Sequence, residues 1–158
     1  MNRYVAVVLI LGVILASACQ AEPTDTLDSA QAVMLAFMND LHDGRYVQAA
    51  AHYQPDHDAL LISMNPDLDP DNLPALLQRG CEQNGFMCML VEEILQIETT
   101  SSGTFLFTVA FINANGERFA LGPCCGEEDD RLPLEEFEIR VSCSTGECMV
   151  LDLPPYVP

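Results

Sequence analysis

The chain contains no lysine, and its six basic residues are all arginine. Against these stand 24 acidic residues, so the formal net charge of the 158-residue chain is −18 at pH 7. Nucleic acids and anionic lipid surfaces attract proteins through a cationic face. The shortage of positive charge therefore argues against both as partners, and we interpret the excess of acid as a contribution to solubility.

The sequence also lacks a Cys-x-x-Cys motif and an apolar run long enough to span a bilayer comfortably. The first absence argues against a redox-active dithiol. The longest apolar run, Val5 to Ala16, has about a dozen residues, whereas a transmembrane helix needs about 20. This run follows Arg3, and a short apolar segment after a basic residue is typical of a secretory signal peptide.

The apolar run ends in Ala16-Ser17-Ala18-Cys19, which resembles the cleavage site of a bacterial lipoprotein signal. The resemblance implies that residues 1–18 are removed and that Cys19 is diacylated and becomes the mature N-terminus. The sequence departs from the usual lipoprotein pattern in having Leu15 one place early. Ala-x-Ala also fits ordinary signal cleavage, so simple secretion is the alternative. Lipidation predicts a protein anchored on the extracytoplasmic side of a membrane in the bacterial cell envelope.

The cysteine count supports lipidation of Cys19, because six of the seven cysteines then remain and an even number suits an oxidising compartment. Those predicted to form disulfides are Cys81, Cys88, Cys124, Cys125, Cys143 and Cys148. We expect Cys143 to pair with Cys148. We expect the Cys81/Cys88 pair to be bridged to the Cys124/Cys125 pair, in an order that the sequence leaves open. The spacings do not match the knuckles of a structural zinc site, so no metal is predicted.

Helical patterns fill the first half of the chain. Residues 19–27 have no periodicity and predict a flexible tether, and residues 28–158 predict a single domain. Asp28 and Gln31 fit a capping box that begins a helix over 29–42. Shorter helices are predicted over 45–53 and 58–64, and a further helix over 72–83 with Asp71 or Asn72 as its cap.

Strand patterns fill the second half. Residues 90–99 predict a strand with Val91, Glu93, Leu95 and Ile97 on one side. Residues 104–125 predict a central hairpin that turns at Asn113 to Gly116 and returns over 117–121. Residues 136–141 alternate cleanly. The last strand is predicted to turn Met149, Leu151 and Leu153 inward, which requires a β-bulge after Cys148. Helices followed by an antiparallel meander are typical of the α+β class.

The order of these elements, together with Gly-Arg-Tyr-x-x-Ala-Ala-Ala-x-Tyr over 44–53, resembles the nuclear transport factor 2-like superfamily. Its members include ketosteroid isomerases and small bacterial lipoproteins of unknown function. The resemblance implies N-terminal helices on a curved, cone-shaped antiparallel sheet. Candidate pocket residues in such a cone are Phe37, Tyr46, Tyr53, Glu93, Phe107 and Phe137. No residue matches the catalytic groups of the enzyme members, so no catalytic residue and no cofactor is predicted.

Two other polar clusters have simpler interpretations. His52, Asp56, His57 and Asp58 include ligand types for a metal or an acid–base pair, but Pro55 divides them, and we interpret them as a solvated helix end. The acidic run over 67–71 resembles the start of a calcium loop. It has Asn72 where that loop needs glycine, and it predicts a capped turn instead.

Two functions are compatible with these features. The first is a lipid-anchored, non-catalytic module that binds an apolar small molecule or a protein partner. The second is a small-molecule enzyme, such as an isomerase, dehydratase or hydrolase, that uses the cone pocket. An inward-facing His, Asp or Tyr on a strand would favour the enzyme, and Glu93 is the one such acid that the strand patterns offer.

Overall fold

The computed structural model describes residues 23–54, 59–101, 103–122, 133–144 and 146–157. In this part of the chain, helices precede strands, and the predicted α+β class is confirmed. The helices are α1 (Pro23–His42), α2 (Tyr46–Ala51), α3 (Ala59–Met64) and α4 (Leu73–Gln83). The strands are β1 (Leu90–Ser101), β2 (Thr104–Ile112), β3 (Phe137–Ser142) and β4 (Met149–Val150).

Helix α1 lays an apolar stripe against the sheet. Ala30, Met34, Phe37 and Leu41 recur at helical spacing and are buried. Gly44 takes a positive φ of 72° just after the helix and lets the chain turn into α2. The helix begins at Pro23, within the segment predicted to be a tether, so the predicted capping box is wrong. Leu27 packs against the core, which favours the longer helix.

Helix α4 is capped as predicted by Asn72, whose side-chain oxygen accepts a hydrogen bond from the backbone N–H of Ala75. Gly80 lies where the helix meets the core. A Cβ at this position would come within 2.9 Å of the Phe86 ring and 3.1 Å of Leu61. Glycine is therefore needed at Gly80 for close packing.

The strands form one antiparallel sheet in the order β1-β2-β3-β4. Strand β2 lies between β1 and β3, as its apolar pattern predicts, and its core-facing side chains Phe105, Phe107, Val109 and Phe111 are buried. The predicted return over 117–121 is confirmed only in part, because it pairs without forming a continuous strand. Arg118 forms an isolated antiparallel bridge with Ile112, and Leu121 forms another with Leu134. Backbone hydrogen bonds join Phe119 to Phe111 and Asn113 to Glu117.

Strand β1 does not keep the simple alternation predicted for it. Its register against β2 shifts between Val91 and Glu93, between Ile94 and Gln96, and near Ser101. Because each inserted residue reverses the faces, Val91, Ile94 and Ile97 lie opposite the buried residues of β2. The prediction that Glu93 and Leu95 share the inward face is therefore wrong.

The last hairpin keeps a regular register. Val141 lies opposite Val150, and Val150 is completely buried. The predicted bulge after Cys148 is wrong, and Val150 takes the core position predicted for its neighbours. The carbonyl of Val150 accepts a hydrogen bond from the backbone N–H of Gln54. The backbone N–H of Val150 donates to the carbonyl of His52. The end of α2 therefore covers the outer edge of β4.

Two disulfides lie within the described residues. Cys143 is bonded to Cys148 across the last turn, as predicted. Cys81 is bonded to Cys88, which overturns the prediction that each of them reaches the Cys124/Cys125 pair. The chain turns back between them, so their Cα atoms lie 5.6 Å apart, a usual disulfide separation. Cys124 and Cys125 lie outside the described residues, as does Cys19.

The C-terminal segment returns to the Cys81–Cys88 loop. Phe86 forms an antiparallel bridge with Tyr156, and their rings lie 5.5 Å apart. Met87 donates to the Pro155 carbonyl, and Val157 donates to the Gly85 carbonyl. The residues after β4 are thus bound along the connection between α4 and β1.

Candidate functional site

The residues predicted to line a pocket lie largely in the packed core. Phe37 of α1, Tyr53 after α2 and Phe107 of β2 are all buried. The Phe37 and Tyr53 rings stack with centroids 5.5 Å apart and an angle of 10° between planes. All three side chains belong to the one buried core cluster between the helices and the sheet.

Phe137, the fourth apolar candidate, belongs to a second aromatic group at one end of the sheet. Its ring lies 5.5 Å from Phe111 and 5.7 Å from Phe119. Such spacings are typical of packed aromatic pairs, which stabilise a core beyond the area that they bury. Phe137 therefore acts here as a packing residue.

Neither polar candidate is fully buried: Tyr46 packs against the edge of the core, and Glu93 is exposed. Glu93 is exposed and forms an ion pair with Arg118, 2.9 Å from its Nη2, and Glu92 lies 2.9 Å from Nε of the same arginine. These hydrogen bonds raise the pKa of Arg118. The register shift in β1 turns Glu93 away from the inward position that the enzyme hypothesis required.

Tyr46 is half-buried between α2 and α4. Its hydroxyl donates to Glu82 at 3.3 Å, and Glu82 also accepts a hydrogen bond from Gln78 at 3.1 Å. Burial, and then the charge of Glu82, raise the pKa of Tyr46. A phenol with a raised pKa stays protonated at neutral pH, so Tyr46 is a hydrogen-bond donor that ties two helices together.

One polar cluster was not predicted from the sequence. Asp40 of α1 is buried, and its carboxylate accepts from Arg45 Nε at 2.7 Å. His52 Nε2 lies 3.8 Å from the other Asp40 oxygen, and Asp43 also pairs with Arg45. Arg45 N–H donates to the Asp40 carbonyl as well. The cluster thus fixes the turn from α1 to α2. The sequence gives no sign of this cluster, because Asp40 and His52 lie 12 positions apart and come together only through the turn between α1 and α2.

The two acidic sequence motifs have different outcomes. Asp56, His57 and Asp58 lie outside the described residues, so their part of the solvated helix end stays a prediction. His52 lies at the C-terminal end of α2, as predicted, and approaches Asp40. Asp67 accepts both of its hydrogen bonds from Arg79 Nη1 at 2.7 Å, and this contact lowers the pKa of Asp67. The Asp69 side chain accepts from the backbone of Asp71. The guanidinium of Arg79 occupies the position that a cation would take at Asp67.

The described surface includes two shallow depressions. One, of about 260 Å³, lies along α4 beside Gln78, Arg79 and Glu82. The other, of about 370 Å³, lies beside Pro133 to Glu136. Both are open to solvent, and small-molecule sites are usually enclosed and mainly apolar.

Strand β1 presents the most extended exposed segment of the sheet. Leu95 and Ile97 are 38% and 37% exposed, although β-strand aliphatic residues are usually covered. The residues around them, from Leu95 to Thr100, are exposed as well. The described part of the sheet therefore carries its accessible apolar side chains at the β1 edge.

No protein-family model matches the chain, and comparisons with curated proteins and with solved structures give no match. Among the helices of the described residues, none has both the length and the apolar character needed to cross a membrane. The same part of the chain holds no group of three or more His, Cys, Asp or Glu residues placed to bind a metal ion.

Proposed function

We propose that the chain is a lipid-anchored extracytoplasmic module that binds a partner and does not turn over a substrate. The observation that carries the proposal is the packing of Phe37, Tyr53 and Phe107 in the space between α1 and the sheet. An enzyme of the cone type needs that space for its substrate and its titratable groups. Here that space holds buried core side chains, among them the stacked rings of Phe37 and Tyr53.

We also propose that the domain is a divergent member of the nuclear transport factor 2-like superfamily. Helices preceding an antiparallel sheet, with the first helix packed on that sheet, support the assignment. The short helix α2 over the Tyr46–Ala51 segment supports it too. The chain adds α4 and the Cys81–Cys88 bridge to this plan.

Anchoring is proposed to act through Cys19, with residues 1–18 as the signal peptide. The short apolar run, the Ala-Ser-Ala-Cys junction and the number of cysteines support it. The two disulfides of the described residues agree with an oxidising compartment on the outer side of a bacterial membrane.

Complementation of a deletion strain tests the binding function against the enzyme alternative. We expect Glu93→Gln and His57→Ala to restore the wild-type phenotype, because neither carboxylate nor imidazole chemistry is needed. We expect Cys19→Ser to fail, because the domain is no longer anchored. Loss of complementation by Glu93→Gln or His57→Ala, with normal folding and normal membrane localisation, would establish the enzyme alternative instead.

A further inference from the structure

Strand β1 forms one edge of the described sheet. Within the described residues, β2 is the only strand hydrogen-bonded to it, although β1 is 12 residues long. Edge strands present backbone N–H and C=O groups that can pair with another chain. Exposed Leu95 and Ile97 on the same strand would lose contact with water if such a chain bound.

The register shifts limit where pairing can occur. The longest regular run between these shifts is Gln96 to Thr99, opposite residues 105–108 of β2. Bulges interrupt an edge and protect it against unlimited strand addition. An added strand therefore has a short, defined docking segment, which favours a specific partner over aggregation.

The side chains of this segment alternate in chemistry. Ile97 lies opposite Phe107 on the core face, whereas Gln96 and Glu98 lie on the outer face. Glu98 accepts a hydrogen bond from Gln96 at 2.5 Å. Since neighbouring strands place side chains of one face side by side, a paired segment needs an apolar residue beside Ile97 and a basic residue beside Glu98.

The negative charge of the protein favours a different protein over a second copy of the chain as the partner of the β1 edge. Two copies would repel each other, because each full chain carries a net charge of −18 and removal of residues 1–18, which contain Arg3 and no acid, makes it −19. Glu98 lies within the docking segment and is exposed, whereas Glu92 and Glu93, just before it, are both paired with Arg118. Complementary charge accelerates association and opposes wrong partners. The surface therefore fits a cationic partner.

We propose that residues Gln96 to Thr99 pair with an extended segment of a partner protein in which apolar residues alternate with Arg or Lys. This proposal rests on the proposed function, because it names the surface and the partner chemistry of the binding module. Backbone hydrogen bonds to the edge supply affinity, and the alternation of Ile97 with Glu98 supplies specificity.

The test measures binding of the fluorescent peptide acetyl-Arg-Val-Arg-Val-Arg-Val-amide to the mature protein in nonionic detergent. We expect Ile97→Arg to weaken binding about tenfold or more, since it removes an apolar contact and adds repulsion. Val47→Arg is the matched control, because Val47 is 69% exposed on α2 and the change in charge is identical. It should alter the dissociation constant by less than about twofold. Ile97→Thr, which keeps a β-branched residue, should weaken binding too.

Two further peptides, N-methylated at alternate amides in the two registers, separate strand pairing from charge attraction. If the peptide pairs as a strand, one of the two methylated peptides should bind much more weakly than the other, because only every second amide of the peptide faces the edge of β1. Equal binding of both would overturn the proposal. Self-association of the protein in sedimentation that Ile97→Arg abolishes would assign the edge to a second copy and overturn it as well.

The same preparation distinguishes failure of this proposal from failure of the proposed function. If a protein with lipidated Cys19 does not bind the peptide, the proposed β1 site is contradicted and the proposal of a lipid-anchored module still holds. If a protein with unmodified Cys19 binds the peptide, the proposed β1 site is supported and the proposed lipid anchor is contradicted.

Discussion

The Asp152 carboxylate takes the place of a backbone carbonyl beside Arg140. The backbone N–H of Arg140 donates a hydrogen bond to the side-chain Oδ2 of Asp152 at 2.7 Å. The Arg140 guanidinium donates to the same carboxylate at 2.9 Å and 2.6 Å. One residue earlier, Leu151 N–H still donates to the Arg140 carbonyl. Asp152 thus ends the pairing of the last hairpin and satisfies the N–H that remains.

We expect Asp152→Ala to lower the free energy of unfolding by about 1–3 kcal/mol, because it leaves a backbone donor and a guanidinium without this acceptor. Asp152→Asn keeps an oxygen for the N–H and should cost less. Chemical denaturation measures both. Glu136→Ala is the control, since Glu136 is exposed, and it should change stability by less than about 0.5 kcal/mol. An Asp152→Ala variant as stable as this control would contradict the account.

Gly85 joins α4 to β1 with a φ of +84°, and a Cβ there would lie 2.2 Å from the carbonyl oxygen of Val157. Gly116 has a similar φ of +77° but no atom within 4 Å of an added Cβ. We expect Gly116→Ala to cost about 1–2 kcal/mol from backbone strain alone. Gly85→Ala should cost about 1–3 kcal/mol more, because the C-terminal segment must move.

Hydrogen exchange of the Val157 amide, measured beside denaturation, checks the cause. The amide donates to the Gly85 carbonyl at 3.0 Å and should lose protection in Gly85→Ala but not in Gly116→Ala. Equal destabilisation by the two substitutions would show that the C-terminal segment does not pack on Gly85.

The sequence predicted elements whose pattern is both strong and local. The stripe of α1, the alternation of β2 and β3 and the Asn72 cap all follow from side chains a few residues apart. Strand β1 shows where prediction from a local pattern is wrong. Its apolar residues look periodic, but inserted residues change the faces, and none of the three register shifts leaves a mark in the composition. The position of Glu93, and with it the nature of the candidate site, depended on those insertions.

The prediction for the last hairpin was wrong for a different reason. The apolar pattern of Met149, Leu151 and Leu153 favoured a bulge that the structure does not have. Arg140 binds Asp152 instead, so an acidic residue near the core face needs no change of register. Contacts between residues 12 positions apart, such as this ion pair or the approach of His52 to Asp40, arise only after the chain has folded.

Cys81 and Cys88 should be recovered as one linked pair after non-reducing proteolysis and peptide mapping. The double variant Cys81→Ser/Cys88→Ser should lose about 2–3 kcal/mol of stability, because a short loop in the unfolded chain is no longer closed. The Cys143→Ser/Cys148→Ser variant is matched in loop size and should lose a similar amount. A peptide that links Cys81 or Cys88 to Cys124 or Cys125 would contradict the assignment.

The intact mass of the protein extracted from bacterial membranes tests the central claim most directly. We predict a mature chain that begins at Cys19 and carries the added mass of a diacylglyceryl group, with Cys19→Ser either released from the membrane or unprocessed. A soluble species that begins at an unmodified Cys19 would contradict the claim that the domain is a lipid-anchored module.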